Sequence, residues 1–217
     1  MTKKTLAPRQ ARSRESERKL LKAATEVLGQ HGVDGATIPR IAEHAGLTPG
    51  AVYRRFPDKN ALLETVVQTI LENQDARLRV MLTPVMTQQI PLPVLTEQLI
   101  TTMLVSYRAN AGLLRGLREF ANGHDNAAFK ARVVKIERRT FQYIVELFLQ
   151  HRKAIRHPDP HLAVSFAFMT LISTLSELTL TVHDVRKWQA FLPKDDKALV
   201  RELKRMFLRY LDLAGED

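Results

Sequence analysis

The stretch "TPGAVYRRFPDK", Thr48 to Lys59, combines a threonine able to cap a helix with Pro49, Gly50, Tyr53, Arg54, Arg55 and Lys59. Those residue types suit one kind of chemistry, the gripping of a polyanion. Pro49 and Gly50 at a helix start free the local amides and permit close backbone approach. Tyr53, one turn on, offers a ring and a hydroxyl, while Arg54 and Arg55 can reach phosphate oxygens or guanine edges. Lys59 stands close enough to clamp a backbone beside the helix. Val52 and Phe56, four apart, fall on the opposite face and should point inward. A helix divided in this way fits the major groove, where phosphate contacts set the register and base edges carry the sequence. An ordinary surface helix with solvated charges shares the pattern, so the rest of the chain must decide.

The charge distribution favours an anionic partner. The 217 residues carry a net charge of +10. Residues 1–60 hold 12 Lys/Arg against 6 Asp/Glu, and the remainder 21 against 17. A basic excess concentrated at one end points to nucleic acid or a membrane surface. The chain has no cysteine, which excludes disulfides, thiolate metal sites and thiol catalysis and fits a reducing compartment. At 45% apolar and 26% charged residues the composition is that of a globular protein. No apolar run follows the basic N-terminus to form a signal peptide, so a cytoplasmic location is expected.

The elements that would position the opening stretch follow from apolar spacing, which is helical nearly throughout. Ser13 or Ser16 begins a first helix, with Glu15 and Glu17 in its first turn and Leu20, Ala24, Val27 and Leu28 on one face; Gly32 stops it. In "GATIPRIAEHAG" Thr37 caps a second helix, Ile41, Ala42 and Ala45 face inward, and Gly46 ends it. Thr48 caps a third, with Pro49 in its first position, running to about Arg55. Pro57 breaks it and Asp58 caps a fourth from Lys59 to about Met81. Two helices joined by a tight Gly46–Leu47 turn form a helix-turn-helix. "LTPVMTQQIPLP" (82–93) reads as a break, and helices follow near 94–108, 111–122, 126–151, 162–181 and 195–213. The expected class is all-α: an N-terminal three-helix helix-turn-helix domain, joined by a fourth helix to a C-terminal bundle.

"ATIPRIAEHAGLTPGAVYRRFPDKNALLETVV", preceded by "PRQARSRESERKLLKAATEVLGQHG", resembles the DNA-binding domain of the TetR family of bacterial repressors over roughly residues 8–67. The matching features are the Thr37 cap, "IA" then "AG", Tyr53, Phe56, and Lys59 followed by "ALL". The rest of the chain is similar only in length and helical character. The resemblance implies a homodimer that binds a palindromic double-stranded DNA operator through paired reading helices and is released by a small-molecule effector. It implies a basic arm and DNA-binding domain over 1–58, and a ligand-binding and dimerisation domain over 59–217. Carried onto this chain, it has Thr37 and Thr48 bonding phosphate, Pro49, Gly50, Ala51 and Arg55 against the groove, and Tyr53 and Lys59 gripping the backbone. The family often has a basic residue where Pro39 stands; here the charge is next door, at Arg40. Arg9, Arg12 and Arg14 could extend along the minor groove as an arm, or form a disordered tail.

Elsewhere the sequence is less specific. "LAVSFAFMTLISTLSELTL" (162–180) approaches the length of a membrane span. Its scattered Ser, Thr and Glu177 instead favour a helix between its own core and a partner subunit, with Phe166 and Leu175 at the interface. "HPDPH" (157–161) could hold a metal but reads first as a turn before a helix, and "NGHDN" (122–126) as a turn with Asp125 or Asn126 capping. Met103, Tyr107, Phe120, Phe141, Phe148, Phe168 and Met169 are candidates to line a pocket for a hydrophobic or amphipathic effector, with Arg108, Arg118 and Glu177 as polar anchors. Each of these has plain core packing as its alternative. No enzymatic motif, cofactor or metal site is expected. The competing functions are a ligand-independent or activating DNA-binding regulator and, from another class, an all-helical enzyme or carrier.

Overall fold

Apolar residues at steps of three and four build the helices of this chain. The computed structural model describes the backbone of residues 6–180, 189–193 and 195–213. It contains α1 (Leu6–Gly35), α2 (Ile38–His44), α3 (Pro49–Tyr53), α4 (Lys59–Met81), α5 (Pro84–Gln88), α6 (Leu92–Ala109), α7 (Ala111–Gly123), α8 (Ala127–Leu149), α9 (Pro160–Leu180) and α10 (Asp196–Leu211). Short 3-10 turns lie at Arg152–Ala154 and Gln189–Phe191. Among the described residues the nearest thing to a strand is an isolated antiparallel bridge between Ile155 and Leu213.

Several boundaries differ from the sequence expectation. Helix α1 starts at Leu6, not at a serine cap, and absorbs Pro8 in its first turn, where a missing N–H does no harm. The backbone of Arg9, Arg12 and Arg14 is therefore helical, not an extended arm. Gly32 does interrupt α1, with φ 66 and ψ −173, before a last turn through Gly35. Helix α3 ends at Tyr53, with Arg54 at its C-cap, short of Arg55. The proline-rich break contains α5, capped by Thr83. Asp58 and Asn126 cap as their positions suggested, and Asp195 caps α10, each accepting from the amide three residues on. Residue 181, the expected end of the 162–181 helix, lies outside the described residues.

The chain packs as two compact units. The first comprises residues up to Glu72 together with Gly112–Val133. Its core joins Leu20, Val27 and Leu28 of α1, Ile41 of α2, Val52, Phe56, and Leu62, Leu63 and Val66 of α4, with Leu117, Phe120, Phe129 and Val133. Helix α7 comes very close to α1: a Cβ at Gly112 would collide with the Gly29 carbonyl, and one at Gly116 would press on Leu28 at 3.0 Å. Glu64 then accepts from His124 Nε2 and Asn126 Nδ2, both at 2.7 Å. This unit thus reaches beyond residue 58, the end of the helix-turn-helix segment, because α4 and α7 supply the apolar surface that a three-helix segment needs to cover.

The second unit comprises Asn73–Ala111 and Val134 onward. Its core gathers Leu95, Leu99 and Ile100 of α6, Val145 and Phe148 of α8, Val164, Phe168 and Leu171 of α9, and Leu203 and Phe207 of α10. A buried carboxylate organises one side of it. Asp75 of α4, 4% exposed, receives Arg79 at 3.0 Å, Thr140 at 2.9 Å and Arg139 at 2.8 Å. The Arg79 guanidinium lies 4.2 Å above the ring of Tyr143, whose hydroxyl donates to Leu82 O at 2.7 Å. Burial pushes the Asp75 carboxyl up, but the Arg79 and Thr140 hydrogen bonds and the two guanidinium charges outweigh it and hold the group below the usual carboxylate range.

Candidate nucleic-acid interface

The helix-turn-helix is assembled by caps and one glycine. Thr37 and Thr48 both have extended backbone and accept from the amide three residues on, Arg40 N at 3.4 Å and Ala51 N at 3.3 Å. Between them Gly46, at φ 65, takes the left-handed conformation that ends α2, and Leu47 N closes the turn on Ala42 O at 2.8 Å. Val52 is fully buried and Phe56 nearly so, which fixes the inner face of α3. His44 of α2 donates to Glu26 of α1 at 2.7 Å. That hydrogen bond, helped by the Lys22 charge, holds the Glu26 carboxyl below its ordinary value against the opposing effect of burial. Nothing in the local spacing marks this pair, whose members are 18 residues apart.

The outer face of α3 presents Thr48, Pro49, Gly50, Tyr53 and Arg54, all exposed, with Tyr53 at 53%. The Arg54 backbone N–H donates to Gly50 O at 3.2 Å, and among the described residues no hydrogen bond or ion pair holds its guanidinium. A Cβ built on Gly50 would meet no atom of the chain within 4 Å. Thr37 and Arg40 are exposed on α2's approach. Ala51, expected against the groove, is 8% exposed beside the fully buried Val52. The remaining cations are engaged with α1. Arg40 Nη1 donates to Gly35 O at 2.8 Å, Arg55 Nη2 to Ser13 O at 3.3 Å, and Lys59 Nζ to Val33 O at 2.7 Å.

The expected effector residues are divided between the two packing units. Phe120 belongs to the first unit, stacked on His124 at 4.7 Å and edge-on to Phe129. Phe148 and Phe168 are buried in the second core, with Met103, Tyr107 and Phe141 partly buried against it, and Phe141 5.2 Å from Phe168. Met169 is 53% exposed, outside any core. Of the polar anchors, Arg108 pairs with Asp196, and Arg118 is exposed on the first unit. One open cleft of the second unit, about 560 Å³, is lined by Glu146, Leu149, Gln150, Arg152, Asp159, Pro160 and His161, none from the expected set. In "HPDPH", Asp159 caps α9 by accepting from Leu162 N at 2.9 Å, and His157 Nδ1 accepts from Asp159 N at 3.1 Å.

Helix α9 is long and apolar enough to cross a membrane by length and composition, with mean hydropathy 1.5. One side packs into the second core through Ala163, Val164, Ala167, Phe168, Leu171 and Leu175. The other exposes Leu162, Phe166 and Met169, with the Phe166 ring 5.4 Å from that of Tyr210 on α10. Thr170, Thr174 and Thr179 each donate to the carbonyl four residues back. Leu175 has no exposed surface, so its expected interface role is corrected: it is core.

A helix-turn-helix with an unengaged polar face, followed by a helical C-terminal unit, defines a DNA-binding regulator. The sequence matches the family model "Bacterial regulatory proteins, tetR family" over residues 20–66, and the model "Tetracyclin repressor-like, C-terminal domain" over residues 91–211. The chain belongs to the TetR family of DNA-binding transcriptional regulators, which are not enzymes. It is 40% identical to the HTH-type transcriptional regulator TtgW of Pseudomonas putida over 57 residues, 26% of this chain and 42% of that relative. A TetR-family regulator from Mesorhizobium loti has the same fold, with TM-score 0.71 at 22% identity over 93% of this chain and 97% of the other. FadR of Bacillus subtilis, solved with stearoyl-CoA, aligns with TM-score 0.61 at 16% identity over 89% and 97%.

Proposed function

We propose that this protein is a cytoplasmic repressor that binds a palindromic operator as a homodimer and is released by a hydrophobic or amphipathic small molecule. The helix-turn-helix within residues 1–58 supplies the DNA contacts, and residues 59–217 supply dimerisation and effector binding. The observation that carries the reading is the outer face of α3. Thr48, Pro49, Gly50, Tyr53 and Arg54 are exposed over a firmly anchored Val52 and Phe56. Glycine in a helix is less favourable than alanine by up to about 1 kcal/mol, and Gly50 stands in the first turn of α3. Nothing in this chain fills the space where a Gly50 side chain would stand, so its absence serves an approaching partner. Thr37 joins this set through its hydroxyl, and Tyr53 and Arg54 supply phosphate grip.

Dimerisation is supported by the exposed apolar side of α9 with Met206 and Tyr210 of α10. A two-fold dimer would set its paired reading helices about 34–36 Å apart, one turn of the duplex. An effector that prefers another spacing lowers operator affinity by population shift alone. The stearoyl-CoA held by the FadR neighbour makes long-chain acyl thioesters a first class of effector to test.

The test is selection of a duplex from a random-sequence pool, followed by binding titrations across salt. The wild type should enrich an inverted repeat, and Arg54→Ala should reduce the salt slope by about one. Failure to enrich any sequence would refute the reading.

A further inference from the structure

The open cleft of the second unit sets an apolar wall beside cationic side chains. Its volume, about 560 Å³, falls within the roughly 300–1,000 Å³ range of small-molecule sites. Leu149, partly buried against the second core, and Pro160 supply the apolar surface. The two carboxylates of the lining are engaged. Asp159 Oδ1 caps α9 by accepting from Leu162 N at 2.9 Å, where the helix dipole also offsets its charge. Glu146 lies in the field of the Arg79 guanidinium. Arg152 and His161 are exposed, and among the described residues no hydrogen bond or ion pair holds either side chain. The charge left uncompensated in the cleft is therefore positive, and it borders apolar surface.

A second observation ties this cleft to α5. Gln150, in the cleft lining, accepts from the Thr87 hydroxyl at 3.0 Å, and His151 Nε2 donates to Thr87 O at 3.0 Å. Thr87 is the one buried residue of α5, whereas Val85 and Met86 of the same helix are 69% and 51% exposed. Helix α5 thus turns a polar residue inward and apolar residues outward. Its anchor is a set of hydrogen bonds to the segment that borders the cleft, so a ligand that displaces Gln150 acts directly on α5.

We infer that the cleft binds a small amphipathic carboxylate, with the head group on Arg152 and the apolar part against Leu149 and Pro160, and that α5 senses its occupancy through Gln150 and Thr87. This gives the effector of the reading above a chemical class and a place, and it rests on that reading for any consequence at the operator.

The probe is octanoate, titrated into the full-length protein by calorimetry. Binding should saturate with a Kd of about 1 mM or below. Arg152→Gln should weaken it about tenfold. Arg152 is exposed, so this variant should keep the wild-type circular dichroism. Octan-1-ol, equal in length but uncharged, should bind wild type and variant alike. Arg108→Gln removes a cation of the same unit that already pairs with Asp196, and should leave octanoate affinity unchanged. Saturating octanoate should change hydrogen exchange at the Thr87 and Ile90 amides, which close on Thr83 O and Thr87 O, by about threefold or more. Gln150→Leu should keep binding and lose that change. No saturable binding up to about 10 mM, or equal affinity in wild type and Arg152→Gln, overturns the site. Unchanged exchange at saturation overturns the link to α5. Failure to enrich any operator refutes the DNA-binding reading and leaves these titrations standing, so the two failures are distinct.

Discussion

The two packing units expose opposite kinds of surface and tie their charges in opposite ways. In the first, α3 shows Tyr53 and Arg54 to solvent, and the neighbouring cations rest on main-chain carbonyls of α1. In the second, α9 shows Leu162, Phe166 and Met169, and the cations Arg79 and Arg139 converge on the buried carboxylate of Asp75. A polar face with free donors suits an anionic duplex, whereas an apolar face suits a second apolar face. The inner ties differ in chemistry too. A peptide carbonyl does not titrate, whereas the Asp75 cluster depends on one ionised group.

The comparison can be tested most severely on α9, where two apolar positions differ sharply in burial. Leu175→Asp, which places a charge in the second core, should cost about 4 kcal/mol or more and prevent folding, read by circular dichroism and thermal melting. Phe166→Asp, at a position 55% exposed, should leave the fold intact and yield monomers by sedimentation. A stable dimer from Phe166→Asp would sink the assignment of this face. Next in size is Asp75→Asn, which should cost about 1–3 kcal/mol by weakening its bonds to Arg79, Thr140 and Arg139.

The same carboxylate predicts a pH response. Its folded pKa lies below the unfolded value, so its stabilisation is present above about pH 4 and is lost as pH falls through the lower folded value. Glu26 shifts the same way and adds to this acid limb. Urea melts between pH 6 and 3 should show a steeper loss for the wild type than for Asp75→Asn; parallel curves would remove Asp75 from the account. The smallest stability effect is expected at Gly50. Gly50→Ala should stabilise the fold by about 0.5–1 kcal/mol while weakening operator binding, so that melting temperature and affinity move in opposite senses. If both rise, Gly50 has no role in backbone approach.

What was legible in the sequence follows the range of each interaction. Thr37, Thr48, Asp58 and Gly46 act within a few residues, and their caps and turn are where the spacing placed them. Val52 and Phe56 declare themselves by periodicity. The engagement of Lys59 with Val33, 26 residues away, has no local signature, nor does the burial of Ala51, which depends on how α3 sits on its neighbours. The effector residues were hardest to place. Apolar spacing marks Phe120 and Phe168 alike as inward-facing, yet they enter different cores, because α7 is drawn to α1 through Gly112 and Gly116. The start of α1 was missed because seryl caps at Ser13 and Ser16 are plausible, while the helix-forming residues upstream carry no stop signal.

The threonines of α9 have a consequence for how that helix meets water. Thr170, Thr174 and Thr179 turn their hydroxyl protons onto their own helix, at 2.9, 2.9 and 2.6 Å. Each hydroxyl thereby uses its one donor within the helix and keeps only acceptor lone pairs for water. A partner surface closing over Thr170 would have to satisfy an acceptor and no donor.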